Sequence, residues 1–451
     1  MDKANHFPFP DERRKWQAFQ NLLRHTFWTR MWIIQELIVA RSVVLLYGGQ
    51  IIPWDIFAKI VKCFKTTDEN SVSVLVLRDT FGGDRRSCRY GMDFVARLHH
   101  LREQYFENTL PALPYLLVEC IQSQAGKTHD KLYALWGLSP SYSIAINDLY
   151  RNTTEYSLRM GCFALVSLAG VANRESKPGL PSWVPDLSNL PRLYPLDNAH
   201  RKYTVGGSSQ MVVHLESDSI INIKGRLLDQ IYLVDRNNPW TRNAALPGPE
   251  LEALIQGSVD EHRCAEWMQW PWDFLRTVED HYESIGRERY FCDKPLLEAF
   301  IRTSIGNDDN ISFPASDKTI EVFELVLELI GFTESISEGH YSTLDDDRPN
   351  LTIDERLMIQ RVPELMSRRS LGRQFALTKE GYIALVPDGA IEGDWVCVFQ
   401  GSKVPYMLRS DGNEKNLPFF RLVGEVYVHS LMDGEYLERN KEDKLGWITL
   451  I

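Results

Sequence analysis

The chain has 451 residues, 44% of them hydrophobic, 11% aromatic and 25% charged, which supplies more than one core and excludes a disordered or fibrous chain. A formal net charge of -11 argues against a general nucleic-acid binder. Basic pairs such as Arg85-Arg86 and Arg368-Arg369 do not reverse this, since phosphate binding needs several convergent cations.

Seven cysteines at long intervals, with no close CxxC pair, read as reduced thiols of a cytoplasmic protein and give no zinc site, so no metal is expected. Met1-Asp2-Lys3 leads into prolines rather than an apolar signal segment, and the apolar run from Gly161 to Ala172 is too short to cross a bilayer. The expectation is a chain with no membrane span.

Residues 1–12 read as a disordered start and Arg13 to His25 as a helix. From Phe27 to Gly49 the pattern predicts a helix delivering into a strand. Trp28, Trp32 and Glu36 recur every fourth residue and so share one helix side, beside an apolar face of Phe27, Met31, Ile34 and Ile38. Val43 to Tyr47, closed by Gly48-Gly49, predicts a strand buried on both faces, as in an α/β sheet. Two readings of Glu36 stand at this point. It faces solvent or pairs with Arg30 or Arg41, or it is a site carboxylate walled by indoles.

Further helices are predicted over Trp54 to Phe64, opened by Pro53, then Phe94 to Tyr105 and Leu113 to Gln122. Ser71 to Leu77 alternates in part, and Phe81 to Arg89 reads as a loop. Asp130 is placed to cap the helix that runs to a stop at Gly137, and Asp148 to Ala169 is helical. Pro178 to Leu190 is a proline-anchored loop.

The period then changes to strands over Gln210 to His214, Ile220 to Lys224 and Leu227 to Val234. Helical patterns return over Cys264 to Trp267, Trp270 to Val278, Lys294 to Arg302 and Thr319 to Ile330, with loops at Asp309 to Asp317 and Ser335 to Asp347. From Gly372 the chain is strand-rich, with candidates at 374–378, 382–386, 395–399, 404–409, 420–428 and 445–451. The domains expected are an α/β domain over 1–190 and a β-rich domain from 200–240 and 370–451. A helical insertion over 245–366 separates the two parts of the latter.

Few residues combine into familiar chemistry. Gly126-Lys127-Thr128 lacks the upstream glycines of a phosphate loop, and no GxSxG elbow appears. His99 and His100 are sequential and point apart on a helix, while Cys120 and Cys162 sit in apolar runs as core thiols. Asp130 and Lys131 either serve the helix start or border the same cleft as Glu36.

Three separated segments resemble the fungal heterokaryon incompatibility (HET) family, in that family's order. Trp28, Arg30, Trp32, Gln35 and Glu36 match its Trp/Arg/Trp/Gln-Glu signature. Asp130-Lys131-Leu132-Tyr133-Ala134-Leu135-Trp136-Gly137-Leu138 is similar to its "RDKIYALLGL" element, with His129 where arginine is usual. Gly372 to Phe375, Gly381-Tyr382, Gly393-Asp394, Val404 to Tyr406 and Leu422 to His429 resemble the tail of long HET proteins, and Pro181 to Asp186 matches another shared element.

The resemblance implies a truncated TIR-like, HET-like α/β domain followed by a small β-barrel-like domain. The family's SYVWG-like strand and DALCINQ-like motif do not precede Phe27. The expectation is therefore a domain without its N-terminal part, whose sheet lacks its opening strands. The function implied is regulation of fungal non-self recognition and programmed cell death through protein contacts. Two alternatives stand beside it: hydrolysis of NAD as substrate at Glu36, and a non-catalytic binding module or degenerate relative. The cleft expected is lined by Trp28, Arg30, Trp32, Gln35, Asp130 and Lys131, with no bound cofactor. Its partner is a protein or a further copy of the chain.

Overall fold

The computed structural model describes residues 10–66, 85–120, 123–136, 143–170, 179–189, 195–198, 203–236, 261–291, 294–309, 312–325, 327, 365–366, 369–370, 372–411, 419–439 and 445–451. The chain forms two compact units, Met1–Ile146 and Asn147–Ile451. Residues 147–190, read from the sequence with the first domain, belong to the second unit. Ser71 to Leu77, Gly137 and the Ser335 to Asp347 stretch lie outside the described residues.

The first unit is helical around one hairpin. Its helices are α1 (Pro10–Leu23), α2 (Trp32–Val39), α3 (Trp54–Thr66), α4 (Arg85–Phe106), α5 (Leu113–Cys120) and α6 (Asp130–Trp136). The expected helix from Phe27 to Ile38 is broken. Thr26–Thr29 is a separate turn of 3-10 helix, and Arg30 is extended at φ -81° and ψ 132°. Trp28 and Trp32 therefore do not share a helix side. Helix α4 starts at Arg85, inside the segment read as a loop.

The strand expected in a buried sheet is instead half of a hairpin. β1 (Val44–Tyr47) pairs antiparallel with β2 (Gln50–Pro53), Tyr47 opposite Gln50. Gly48 and Gly49 have φ of 56° and 78°, the tight two-residue turn that needs positive φ twice and so selects glycine. Only alternate residues turn inward: Leu45, Tyr47 and Ile52 pack on the core, while Val44, Leu46 and Ile51 are exposed. Helix α4 runs against α1 at Gly91, where a Cβ would stand 2.0 Å from the Leu23 carbonyl oxygen. The core gathers Leu23, Trp28, Ile34, Trp54, Phe57, Val61, Val95 and Leu98.

The second unit begins with α7 (Ile146–Arg159), which stops ten residues before the expected end at Ala169. The Ser157 hydroxyl donates to the Cys162 carbonyl (2.7 Å) and closes that terminus. Two strand segments read separately are one strand, β4 (Ile221–Asp235), flanked by the short β3 (Val213–Leu215). Two helical segments are likewise one, α8 (Glu261–Ile285), with Pro271 inside it. Helix α9 (Leu296–Ser304) follows.

The C-terminal strands are β5 (Arg373–Thr378), β6 (Ile383–Pro387), β7 (Trp395–Phe399), β8 (Tyr406–Ser410), β9 (Phe419–Glu425), β10 (Tyr427–Val428) and β11 (Gly446–Leu450). The sheet runs β10-β6-β5-β4-β11-β9-β8-β7, and β7 pairs in turn with the middle of β4. β4 serves so many partners by dividing its length. Residues 221–225 pair with β11, 225–230 with β7 and 231–235 with β5. Because β5, β6 and β10 continue off its far half, the nine-stranded sheet as a whole is not a closed barrel.

Candidate functional site

The residues expected to form a site fall on two segments of the first unit, and the structure joins them through Ser123-Gln124. His25 accepts from the Phe27 N–H through Nδ1 (3.1 Å) and so caps the 3-10 turn. Trp28 lies in the core at 1% exposure; its indole N–H donates to the Leu22 carbonyl (2.6 Å), and its ring stacks on Phe57 with centroids 5.8 Å apart. It supports the segment from beneath rather than lining a cleft.

Beyond the turn, Arg30 forms an isolated parallel bridge with Gln124. The Met31 N–H donates to the Gln124 carbonyl (2.8 Å), the Gln124 N–H to the Thr29 carbonyl, and the Thr29 hydroxyl to Gln124 Oε1 (3.2 Å). On the next residue back, the Ser123 carbonyl accepts from Lys131 Nζ. Lys131 is half-buried, and burial lowers its pKa from the ordinary lysine value. Asp130 is buried as the first residue of α6, inside the helix rather than at its cap, and its own N–H donates to the Lys127 carbonyl (3.0 Å).

Glu36 is exposed, and so is Arg30; Trp32 and Gln35 are half-buried. The pocket of indoles around Glu36 does not form, because the break at Arg30 rotates Trp28 into the core while Glu36 stays on the outer face of α2. Helix α2 packs against α6, and two of the residues singled out reach the same short segment, Arg30 at Gln124 and Lys131 at the Ser123 carbonyl.

Sequence reasoning missed the residue that holds α2 in place. Arg102, buried on α4, donates through Nη1 to the Leu37 carbonyl (2.6 Å) and through Nη2 to the Arg41 carbonyl (3.2 Å). A cation there satisfies the open carbonyls of the helix end and its partial negative charge. The signal was an arginine in an otherwise apolar helix face, beside Leu98 and Leu101. The Cys120 thiol is buried and its pKa pushed up to about 12 by burial, which makes it a core group rather than a nucleophile.

The second unit carries a buried ion pair that composition alone does not flag. Arg373 at the start of β5 and Glu425 at the end of β9 are 0% and 1% exposed, with Nη2 to Oε1 at 2.5 Å. Glu425 also accepts from the backbone N–H of Leu196 (2.6 Å) and Asp197 (3.2 Å), and Arg373 donates to the Arg369 carbonyl (3.2 Å). Nearby, Arg409 grips Asp394 with Nε and Nη2 at 2.9 and 2.8 Å, which raises the arginine pKa further. Such pairs fix which strand ends meet, since each buried charge needs its partner in place. His429 is buried between Tyr290 and Tyr427, and burial pushes its pKa down to about 3, so it stays neutral.

Residues 355–446 match the Het-6 beta-barrel domain. This is a heterokaryon-incompatibility-related family. The Het-6 match takes in β5 to β10 and the first residue of β11, together with Arg373, Asp394, Arg409 and Glu425. It leaves out β4, although β4 pairs with three of the Het-6 strands. No curated protein and no solved structure matches the chain. Among the described residues no group of three or more His, Cys, Asp or Glu is placed to hold a metal, and no helix is long and apolar enough to cross a membrane.

Proposed function

We propose that this chain acts in fungal heterokaryon incompatibility, as a cytoplasmic regulator of non-self recognition and the cell death that follows, working through protein contacts. The observation that carries this reading is the Het-6 beta-barrel match over residues 355–446, whose strands pair as two sets, β10-β6-β5 and β9-β8-β7, both joined to β4. The family-like Trp28 to Glu36 and Asp130 to Leu138 segments lie upstream in the expected order, and the reading is supported by Arg30 bridging Gln124 and Lys131 reaching the adjacent Ser123 carbonyl. On this reading the exposed Arg30 and Glu36, with the half-buried Gln35 and Lys131, belong to a contact surface, and the buried Asp130 supports the start of α6 behind it.

The test places the chain in one of two strains that otherwise fuse and survive. Death of fused cells only where the two strains differ in this chain is the expected result. Equal survival of fused cells in matched and mismatched pairings, with the protein present and folded, would refute the proposal. Cellular NAD measured in the same fusions separates the contact reading from hydrolysis. NAD loss abolished by Glu36→Gln would move the function to chemistry at that carboxylate.

A further inference from the structure

The β1–β2 hairpin presents an apolar edge to solvent with nothing paired to it among the described residues. Val44, Leu46 and Ile51 are 54%, 75% and 69% exposed, on the face opposite Leu45, Tyr47 and Ile52. In an antiparallel pair closed by a two-residue turn, hydrogen-bonded and non-hydrogen-bonded positions alternate outward from the turn. Tyr47 and Gln50 close the turn, and the Trp54 N–H donates to the Val43 carbonyl (3.1 Å), so the backbone groups of Val44 and Leu46 point away from β2.

The two edges of the hairpin are not equivalent. On β2 the outward positions are Ile51 and Pro53, and proline has no N–H to offer a further strand. On β1 the outward positions, Val44 and Leu46, keep donor and acceptor both. The usual protections of an edge strand are charge, proline, a bulge or a covering element, and β1 carries none of them among the described residues. Residues 43–54 contain no charged side chain at all.

That last fact selects the occupant. Two copies of a chain with a net charge of -11 repel unless they meet on a neutral face, and this edge is one. We propose that β1 is a self-association edge, pairing antiparallel with β1 of a second copy about a two-fold axis near Leu45. In that register Val44 of one copy lies opposite Leu46 of the other, every outward N–H and C=O of those residues is satisfied, and a four-stranded sheet forms. The apolar faces of the two hairpins then continue into each other. One short edge buries less than the roughly 1,200 Å² of a standard interface, so the dimer is expected to be weak, with a dissociation constant on the order of 10 µM.

The inference does not depend on the incompatibility reading, and its test uses no biological readout. Sedimentation velocity of the full chain from about 1 to 100 µM is expected to show a reversible monomer–dimer equilibrium. Leu46→Lys, which puts a cation on each side of the axis, is expected to weaken it at least about tenfold. Val44→Pro is expected to do the same by removing only the outward N–H, copying what Pro53 does on the other edge. Both side chains are exposed, so unchanged circular dichroism and melting temperature show that the monomer is intact. A chain monomeric throughout the range overturns the proposal and leaves the edge to a strand of another protein. A dimer indifferent to both substitutions overturns it as well.

Discussion

Replacing Arg373 with methionine tests whether the buried pair with Glu425 holds the ends of β5 and β9. Methionine keeps much of the volume and removes the guanidinium. The Glu425 carboxylate, 1% exposed, then keeps, among the described residues, the N–H groups of Leu196 and Asp197 as donors. Stranding one charge of a buried pair costs about 3–5 kcal/mol, a large share of the stability of an ordinary domain. Adding Glu425→Gln removes the stranded charge, while the amide oxygen still accepts from the Leu196 N–H; about 1–2 kcal/mol should return. Urea unfolding of the full chain, followed by hydrogen exchange of peptides covering 373–378 and 419–425, reads the effect where it arises. A cost below about 1 kcal/mol for Arg373→Met, or no recovery in the double variant, would refute the reasoning.

His429 makes the second unit acid-sensitive. Its folded pKa is about 3 against an ordinary value of 6.5, so the unfolded chain binds the extra proton between those limits. Stability is therefore full above pH 6.5 and falls as pH drops below it, by at most about 1.4 kcal/mol per pH unit from this group, and His429→Gln should flatten that slope in urea titrations. Arg102→Met leaves the Leu37 and Arg41 carbonyls without their donor. It should cost about 2–3 kcal/mol and speed hydrogen exchange in residues 32–41 ahead of the rest of the first unit; uniform exchange rates would count against the capping role. Gly91→Ala sets a methyl 2.0 Å from the Leu23 carbonyl oxygen, forces α4 off α1, and should lower the first unit's stability by roughly 3 kcal/mol; a neutral result in thermal melts would show that the helices part easily.

The sequence revealed the C-terminal sheet better than the hairpin, and the reason is physical. Strands such as Trp395–Phe399 and Ile383–Pro387 are short apolar runs between turn residues, and turn chemistry is local. Val43 to Tyr47 has the same appearance, yet Gly48-Gly49 was read as the end of a buried strand when it was the centre of a turn. Only the partner Gln50–Pro53 distinguishes the two, and its proline was credited to the following helix. Separation in the chain hid the rest. The four-residue spacing of Trp28, Trp32 and Glu36 was correct as a spacing, but Gln124 stretches the backbone at Arg30 and breaks the period. Lys131 was visible as part of a motif, while its burial against the Ser123 carbonyl was not. Arg373 and Glu425 were each visible as a charge at a strand end. Their meeting required knowing that β9 bends into β10 and reaches β6 beside β5.

The division of labour along β4 has a consequence for synthesis. Its ladder partners β5, β7 and β11 are all encoded after residue 372, so among the described strands a nascent chain can pair β4 only with β3. At 5–20 residues per second the wait while residues 236–372 are made is on the order of ten seconds. During that interval most of its backbone ladder stands open, a target for chaperones, and a message truncated upstream of β5 would release a chain unable to complete it.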